Sequence, residues 1–250
     1  MSYNDTNTHA RDRRIHFDAD SHTYTATTPA GGEVLCDSVT TIVESLFAAF
    51  DADYWAARKA TPTHTAEQIK AEWAARGEQA RTLGTQLHDR IERHYLGYEP
   101  DAEALADKAF RHFMRFAAEV HLIPYRTEWK IYSERSRIAG TLDFLAYDGH
   151  NFEIYDWKRS AKLVDSAGAV IDSDRYGRHA LEPVEHVPDT VYHHYALQVS
   201  LYRYILEQEY GIVVAAGHLG TFHPDYERPY VLDLPYLRAE AAAIFNSRCP

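Results

Sequence analysis

The chain has 250 residues, of which 45% are hydrophobic, and its 26 Lys and Arg against 37 Asp and Glu leave a formal net charge of -11. That size and composition build a globular fold with a real core, and the charge counts against a protein that coats nucleic acid through bulk positive charge, though not against a local basic groove. Cys36 and Cys249 are its 2 cysteines, which excludes a disulfide framework and a four-cysteine metal or iron–sulfur site and fits a reducing compartment.

Met1 to Arg14 is polar, with no apolar signal-peptide core, and no run of about 18 apolar residues occurs. A soluble intracellular protein with no membrane partner is expected. Residues 1–13 read as a disordered arm. Residues 14–28 read as strands around the turn-like Asp18-Ala19-Asp20-Ser21, and Pro29 to Gly32 as a turn. Ser38 caps a helix starting near Val39. A long helix is predicted over 66–97 and a second over 101–121, with Ala106, Phe110, Phe113 and Ala117 at helical spacing. Strands follow at 125–133, 138–147 and 152–158. Residues 161–189 show no period and carry Gly168, Gly177, Pro183 and Pro188, so they read as a functional or disordered loop. A helix over 190–210 closes at Gly211. Strands at 212–222 and 228–233 and a helix over 234–246 complete the chain.

The second hairpin holds the strongest chemical signal. Side chains alternate along a strand, so Asp156 and Lys158 share a face. A hairpin loop over 148–151 sets Tyr147 opposite Phe152, and the same register sets Asp143 opposite Asp156, with Cβ atoms roughly 4.5–5.5 Å apart. Facing carboxylates repel, and a divalent cation held by both offsets the repulsion; oxygen ligands suit Mg²⁺ or Mn²⁺. Lys158 reaches the same space and can hold a phosphate or steady developing negative charge. A solvated acidic hairpin is the plainer alternative. Leu142, Phe144, Leu145, Ile154 and Trp157 weigh against it, because they mark strands buried on both faces, where acids need partners.

Two helices add candidates. Gly84, His88 and Glu92 share one side of the long helix. A helical glycine costs about 1 kcal/mol relative to Ala, which suggests close approach of another backbone or a substrate strand. His88 is either a metal ligand or an ordinary packed histidine. On helix 190–210, Val191, Tyr195, Gln198, Tyr202 and Ile205 form a stripe facing a core. Gln198 is its one strongly polar member, and it either satisfies backbone groups or, with Tyr202, orients the acidic site.

Together these residues resemble the PD-(D/E)XK nuclease superfamily: Asp143, a gap, then Asp156-Trp157-Lys158. The resemblance implies a restriction-endonuclease-like α/β core, with a central mixed sheet flanked by helices in the order αβββαβ. That core spans 101–250, behind a mainly helical N-terminal extension over 1–100 that belongs to the same domain. Gln198 to Tyr202 is similar to the Q-x-x-x-Y element of the RecB-like branch, and Gly84 to His88 to its G-x-x-x-H element. Ser38 to Ile42 and Asp156 to Ser160 look like elements of the mitochondrial genome maintenance exonuclease group, which has viral relatives, so a virus or phage source is among the expectations.

The resemblance further implies that His88, Asp143, Asp156 and the Trp157 carbonyl bind one or two Mg²⁺ or Mn²⁺ ions, with Asp143, Asp156 and Lys158 catalytic. Gly84, Arg159, Ser160, Gln198 and Tyr202 take supporting or DNA-binding roles. No iron–sulfur cluster is carried over. The expected activity is exonucleolytic cleavage of single-stranded DNA ends, in the company of replication or repair proteins. Residues 1–100 and the 161–189 loop are expected to wall the DNA channel. Arg111, Arg115, Arg159, Lys162, Arg175 and Arg178, with Tyr54 and Trp55, are candidates to line it. A flap endonuclease with the same site, an inactive DNA-binding protein of the same fold, and a hydrolase of small phosphate esters stay open.

Overall fold

The computed structural model describes residues 2–249. The polar N-terminus departs at once from the expected disordered arm. Tyr3–Thr6 forms a short helix, α1, and Ala10–Arg14 a 3-10 turn. Both dock on a distant strand: Asn4 of the helix accepts from the Thr127 amide at 3.0 Å, and Asp12 of the turn accepts from Arg126 and from the Trp129 indole, each at 2.8 Å. The partners lie more than a hundred residues away, so local pattern could not reveal them.

Three antiparallel strands follow: β1 (Ile15–Asp18), β2 (Thr23–Thr27) and β3 (Glu33–Ser38). The extension therefore opens as a β-meander before it turns helical, and β3 is an element the sequence reading lacked. Ser38 accepts from the Thr41 amide and caps α2 (Val39–Ser45) as expected. Then come α3 (Ala52–Lys59), α4 (Ala66–Tyr95), α5 (Ala102–Ala106) and α6 (Lys108–Glu119). The helix expected over 101–121 is two, because the Asp107 carboxylate accepts from the Ala109 amide and caps a fresh start.

The strands β4 (Pro124–Ser133), β5 (Ile138–Tyr147) and β6 (Phe152–Lys158) match their expected ranges within a residue. The loop over 161–189 has no helix or strand. Helix α7 (Val191–Ile205) runs into a π-helical turn and stops at Gly211, whose φ of 68° suits a residue without a Cβ. Strands β7 (Val214–Thr221) and β8 (Tyr230–Leu234) and helix α8 (Arg238–Ser247) finish the chain.

All eight strands join one mixed sheet. Antiparallel β4, β5 and β6 continue through a parallel β6–β7 pair to antiparallel β8. One edge of β5 has two neighbours: β6 pairs with residues 144–147, and β3 pairs in parallel with 138–139. Between them the edge is open over 140–143, and the candidate site lies there.

Helices cover both faces. On one side, α2, α7 and α8 pack over Trp129, Ile131, Leu145, Ile154 and Leu219. On the other, α4, α5 and α6 bury Leu87, Phe110 and Phe113 against Phe144, Trp157 and Phe222. Burial on both faces explains why β5 and β6 read as near-continuous apolar runs. Among the described residues no helix is long and apolar enough to cross a membrane.

Candidate active site

The hairpin loop builds the site. Asp148 accepts from the amides of His150 and Asn151 at 2.8 and 2.7 Å, and Gly149 takes a φ of 98°. This fixes Tyr147 opposite Phe152, and the ladder runs on to Phe144 opposite Tyr155. One step further it ends. Continued by one pair, that register would set Asp143 beside Asp156, but the Trp157 amide donates to Asp143 Oδ2 at 2.8 Å instead of to a backbone carbonyl. The strands part because a side chain has taken the place of a ladder bond.

Asp143 and Asp156 converge on one cation. Lys158 Nζ lies 2.6 Å from Asp156 Oδ2 and 3.7 Å from Asp143 Oδ2. The repulsion that the sequence reading assigned to a bound metal is thus already offset by the protein's own ammonium. Asp156 is 1% exposed. Burial raises its carboxyl and neighbouring Asp143 adds to this; Lys158 pulls the other way, and the net result is about 6. Burial would lower the Lys158 ammonium, but the two carboxylates outweigh it and raise it.

His88 enters from α4 over the open edge. Its Nε2 lies 2.7 Å from the Trp157 carbonyl, and its Nδ1 lies 3.7 Å from Asp143 and 3.9 Å from Glu128. Burial opposes charge on this ring, yet Asp143 and Glu128 prevail and raise it to about 9.

Glu128 escaped the sequence reading. The first hairpin sets Ser133 opposite Ile138, and Thr127–Phe144 and Trp129–Leu142 are paired. Glu128 therefore falls opposite Asp143, and leaves the ladder with a φ of 45°. Glu128, Asp143 and Asp156 form a row across three adjacent strands. Carrying the register of the first hairpin back from its turn, as for the second, would have found it. His88, Glu128 and Asp143 each offer an atom within 4.8 Å of the others. Asp156 stands outside that group, with Oδ2 toward Lys158.

The supporting residues divide. Gln198 Nε2 donates to Asp156 Oδ1 at 2.9 Å, the orienting role weighed from sequence. Tyr202 acts one step away. Its ring fills the space over Gly140, where a Cβ would fall 2.7 Å from Cε1. Gly84 has nothing within 4 Å of its Cβ direction, so no protein backbone crowds it; it faces a groove. Close approach at a glycine occurs instead at Gly140.

That groove, of about 520 Å³, runs from α4 past the site to the start of α7. Arg81, Gly84, His88, Lys158, Arg159 and Lys162 line it, with Ser160, Tyr195 and the Trp157 main chain region alongside. The other cations expected in a channel are engaged elsewhere. Arg111 donates to the carbonyls of Leu105 and Ala106, Arg115 pairs with Glu119 and Arg178 with Asp174, and Arg175 stacks on Tyr176. Tyr54 and Trp55 are exposed on α3 but do not line this groove. Of the 161–189 loop only 161–162 line it.

The donor set fits a hard divalent cation. It offers carboxylate oxygens, a carbonyl and an imidazole, with no thiolate nearby. Asp156 Oδ2 is buried and lacks an aligned hydrogen-bond donor, despite the Lys158 charge beside it. Such an oxygen gains from a cation.

No family model matches the chain, and no curated protein matches it. Among solved structures it is similar to SSO0001, known from a crystal structure, at 16% identity over 85% of this chain and 74% of that one, with a TM-score of 0.35. A superposition that loose carries no functional argument. What stands is a mixed α/β fold with an acidic cluster at a parting of two strands.

Proposed function

We propose that the chain is a divalent-metal-dependent nuclease that hydrolyses phosphodiester bonds of DNA. The observation that carries this reading is the convergence of Asp143 and Asp156 with Lys158, His88 and Glu128 on one open strand edge, beside a groove with further cations. The order of helix, antiparallel β4–β5–β6, crossover helix α7 and parallel β7 supports a restriction-endonuclease-like core.

In this reading His88, Glu128, Asp143, Asp156 and the Trp157 carbonyl hold Mg²⁺ or Mn²⁺. When bound, the ion supplies charge neutralisation and a more acidic water. The chain's own groups set the stage. Gln198 fixes the Asp156 carboxylate through Oδ1. Asp143, tied to the Trp157 amide, sets the distance between the two strands. Lys158 holds a phosphate oxygen or steadies charge that develops on it. Arg159 and Lys162 offer charge to the neighbouring backbone of a strand in the groove.

Exonuclease action on single-stranded ends is the preferred mode and rests on the resemblance alone. The test is an end-label assay with Mg²⁺ or Mn²⁺ on linear single-stranded, circular single-stranded, duplex and flap DNA. Cleavage that needs the metal and disappears in Lys158→Ala and Asp156→Ala is the expected result; cutting of circles moves the assignment to an endonuclease. Hydrolysis that persists in both variants overturns the mechanism.

A further inference from the structure

The stripe on α7 does not face the core along its whole length. Tyr195 lies one turn before Gln198 and is half-buried: it packs against the edge of the core and also lines the groove. The Lys158 ammonium sits over its ring, 5.0 Å from the centroid. Lys158 therefore has three neighbours of two kinds: the carboxylates of Asp156 and Asp143, and an aromatic face.

Those neighbours differ in what else they can do. The carboxylates are the groups a divalent ion claims, and negative charge given to an ion is withdrawn from the ammonium. An aromatic face attracts a cation through its quadrupole and is not a ligand for a hard metal. The ring is also rigidly placed. Its helix is anchored under the sheet by the Gln198–Asp156 hydrogen bond and by Tyr202 against Gly140. Lys158 itself is on a flexible stem that needs a fixed partner to aim it.

We infer that Tyr195 is a positioning residue, whose ring face holds the Lys158 ammonium over the groove when the carboxylates are engaged by metal. The inference rests on the nuclease reading. It assigns the role to the ring and none to the hydroxyl.

The test uses the full chain with Tyr195→Phe and Tyr195→Leu. In Mn²⁺-dependent hydrolysis of a single-stranded oligonucleotide, Tyr195→Phe keeps kcat within about twofold of the unaltered chain. Tyr195→Leu loses about tenfold in kcat with KM little changed, as expected when a contact of this kind is removed. A metal-free readout runs beside it. Lysines are reductively methylated with ¹³C-formaldehyde, and the Lys158 signal is assigned from its loss in Lys158→Arg. An upfield ring-current shift is expected in the unaltered chain and in Tyr195→Phe, and is lost in Tyr195→Leu. Equal kcat in Tyr195→Leu and the unaltered chain, or Tyr195→Phe as impaired as Tyr195→Leu, overturns the assignment. So does a Lys158 signal indifferent to the ring. Absence of any metal-dependent hydrolysis in the unaltered chain sinks the nuclease reading instead, and the methyl signal still decides whether the ring holds Lys158.

Discussion

Gln198 Nε2 donates to Asp156 Oδ1 at 2.9 Å, joining helix α7 to the most deeply buried acid of the site. An ionised carboxylate so buried depends on every donor it has. Gln198→Ala removes this one, and so raises the Asp156 carboxyl above its value of about 6. Mn²⁺ affinity is expected to fall about 10- to 100-fold, in line with the loss of an outer hydrogen bond to a ligand. Calorimetric titration with Mn²⁺ checks this, and unchanged affinity would show that Asp156 is oriented by other groups.

Lys158 is the counter-charge for two acids, so its loss has consequences beyond activity. Lys158→Met leaves buried Asp156 without its ammonium partner and Asp143 with the His88 ring alone. In EDTA this is expected to cost about 3–5 kcal/mol of stability, the range for breaking a buried ion pair. Mn²⁺ then restores more stability to the variant than it adds to the unaltered chain, without restoring cleavage. Urea melts with and without Mn²⁺ measure both quantities. Identical gains in the two proteins would mean that ion and ammonium do not share the same carboxylates.

The pH dependence of the metal-free protein has a definite sign. Burial disfavours charge on His88, but Asp143 and Glu128 outweigh it and raise the ring from 6.5 to about 9. A folded-state value above the unfolded one gives stability that is complete below about 6.5 and is lost as pH rises through about 9. Asp156, raised from 3.8 to about 6, titrates in the same sense, but its contribution is lost before that window opens. Unfolding free energy in EDTA is therefore expected to decline between about pH 6.5 and 9, and His88→Gln to flatten the decline. Chemical denaturation across that range provides the check. An equal slope in the variant would assign the titration to another group.

Gly140 and Tyr202 test the packing beneath the site. Gly140→Ala places a methyl group 2.7 Å from Tyr202 Cε1. Tyr202 is 3% exposed, so the ring has little room to yield. A loss of about 1–3 kcal/mol is expected from overpacking. Cleavage should fall with it, because α7 carries both Tyr202 and Gln198. The paired change Gly140→Ala with Tyr202→Leu recovers part of the stability if the clash is the cause.

The single-sequence reading went furthest where short-range rules govern. The ranges of β5 and β6 and the cap at Ser38 followed from alternation, turn residues and side-chain capping. The register from Tyr147 opposite Phe152 to Phe144 opposite Tyr155 followed from one hairpin loop, since loop length sets which residues face each other. The same rule, run back from the first hairpin turn, places Glu128 opposite Asp143. Sequence alone thus determined which acids can share a strand edge. Tertiary structure decided what they do there. It brought His88 over the Trp157 carbonyl and Gln198 under Asp156, and turned Tyr195 to Lys158. It also pinned the N-terminal arm through Asp12 and parted β5 from β6. Each of these joins residues at least a dozen apart in the chain, through directed side-chain contacts that leave no period or spacing to read.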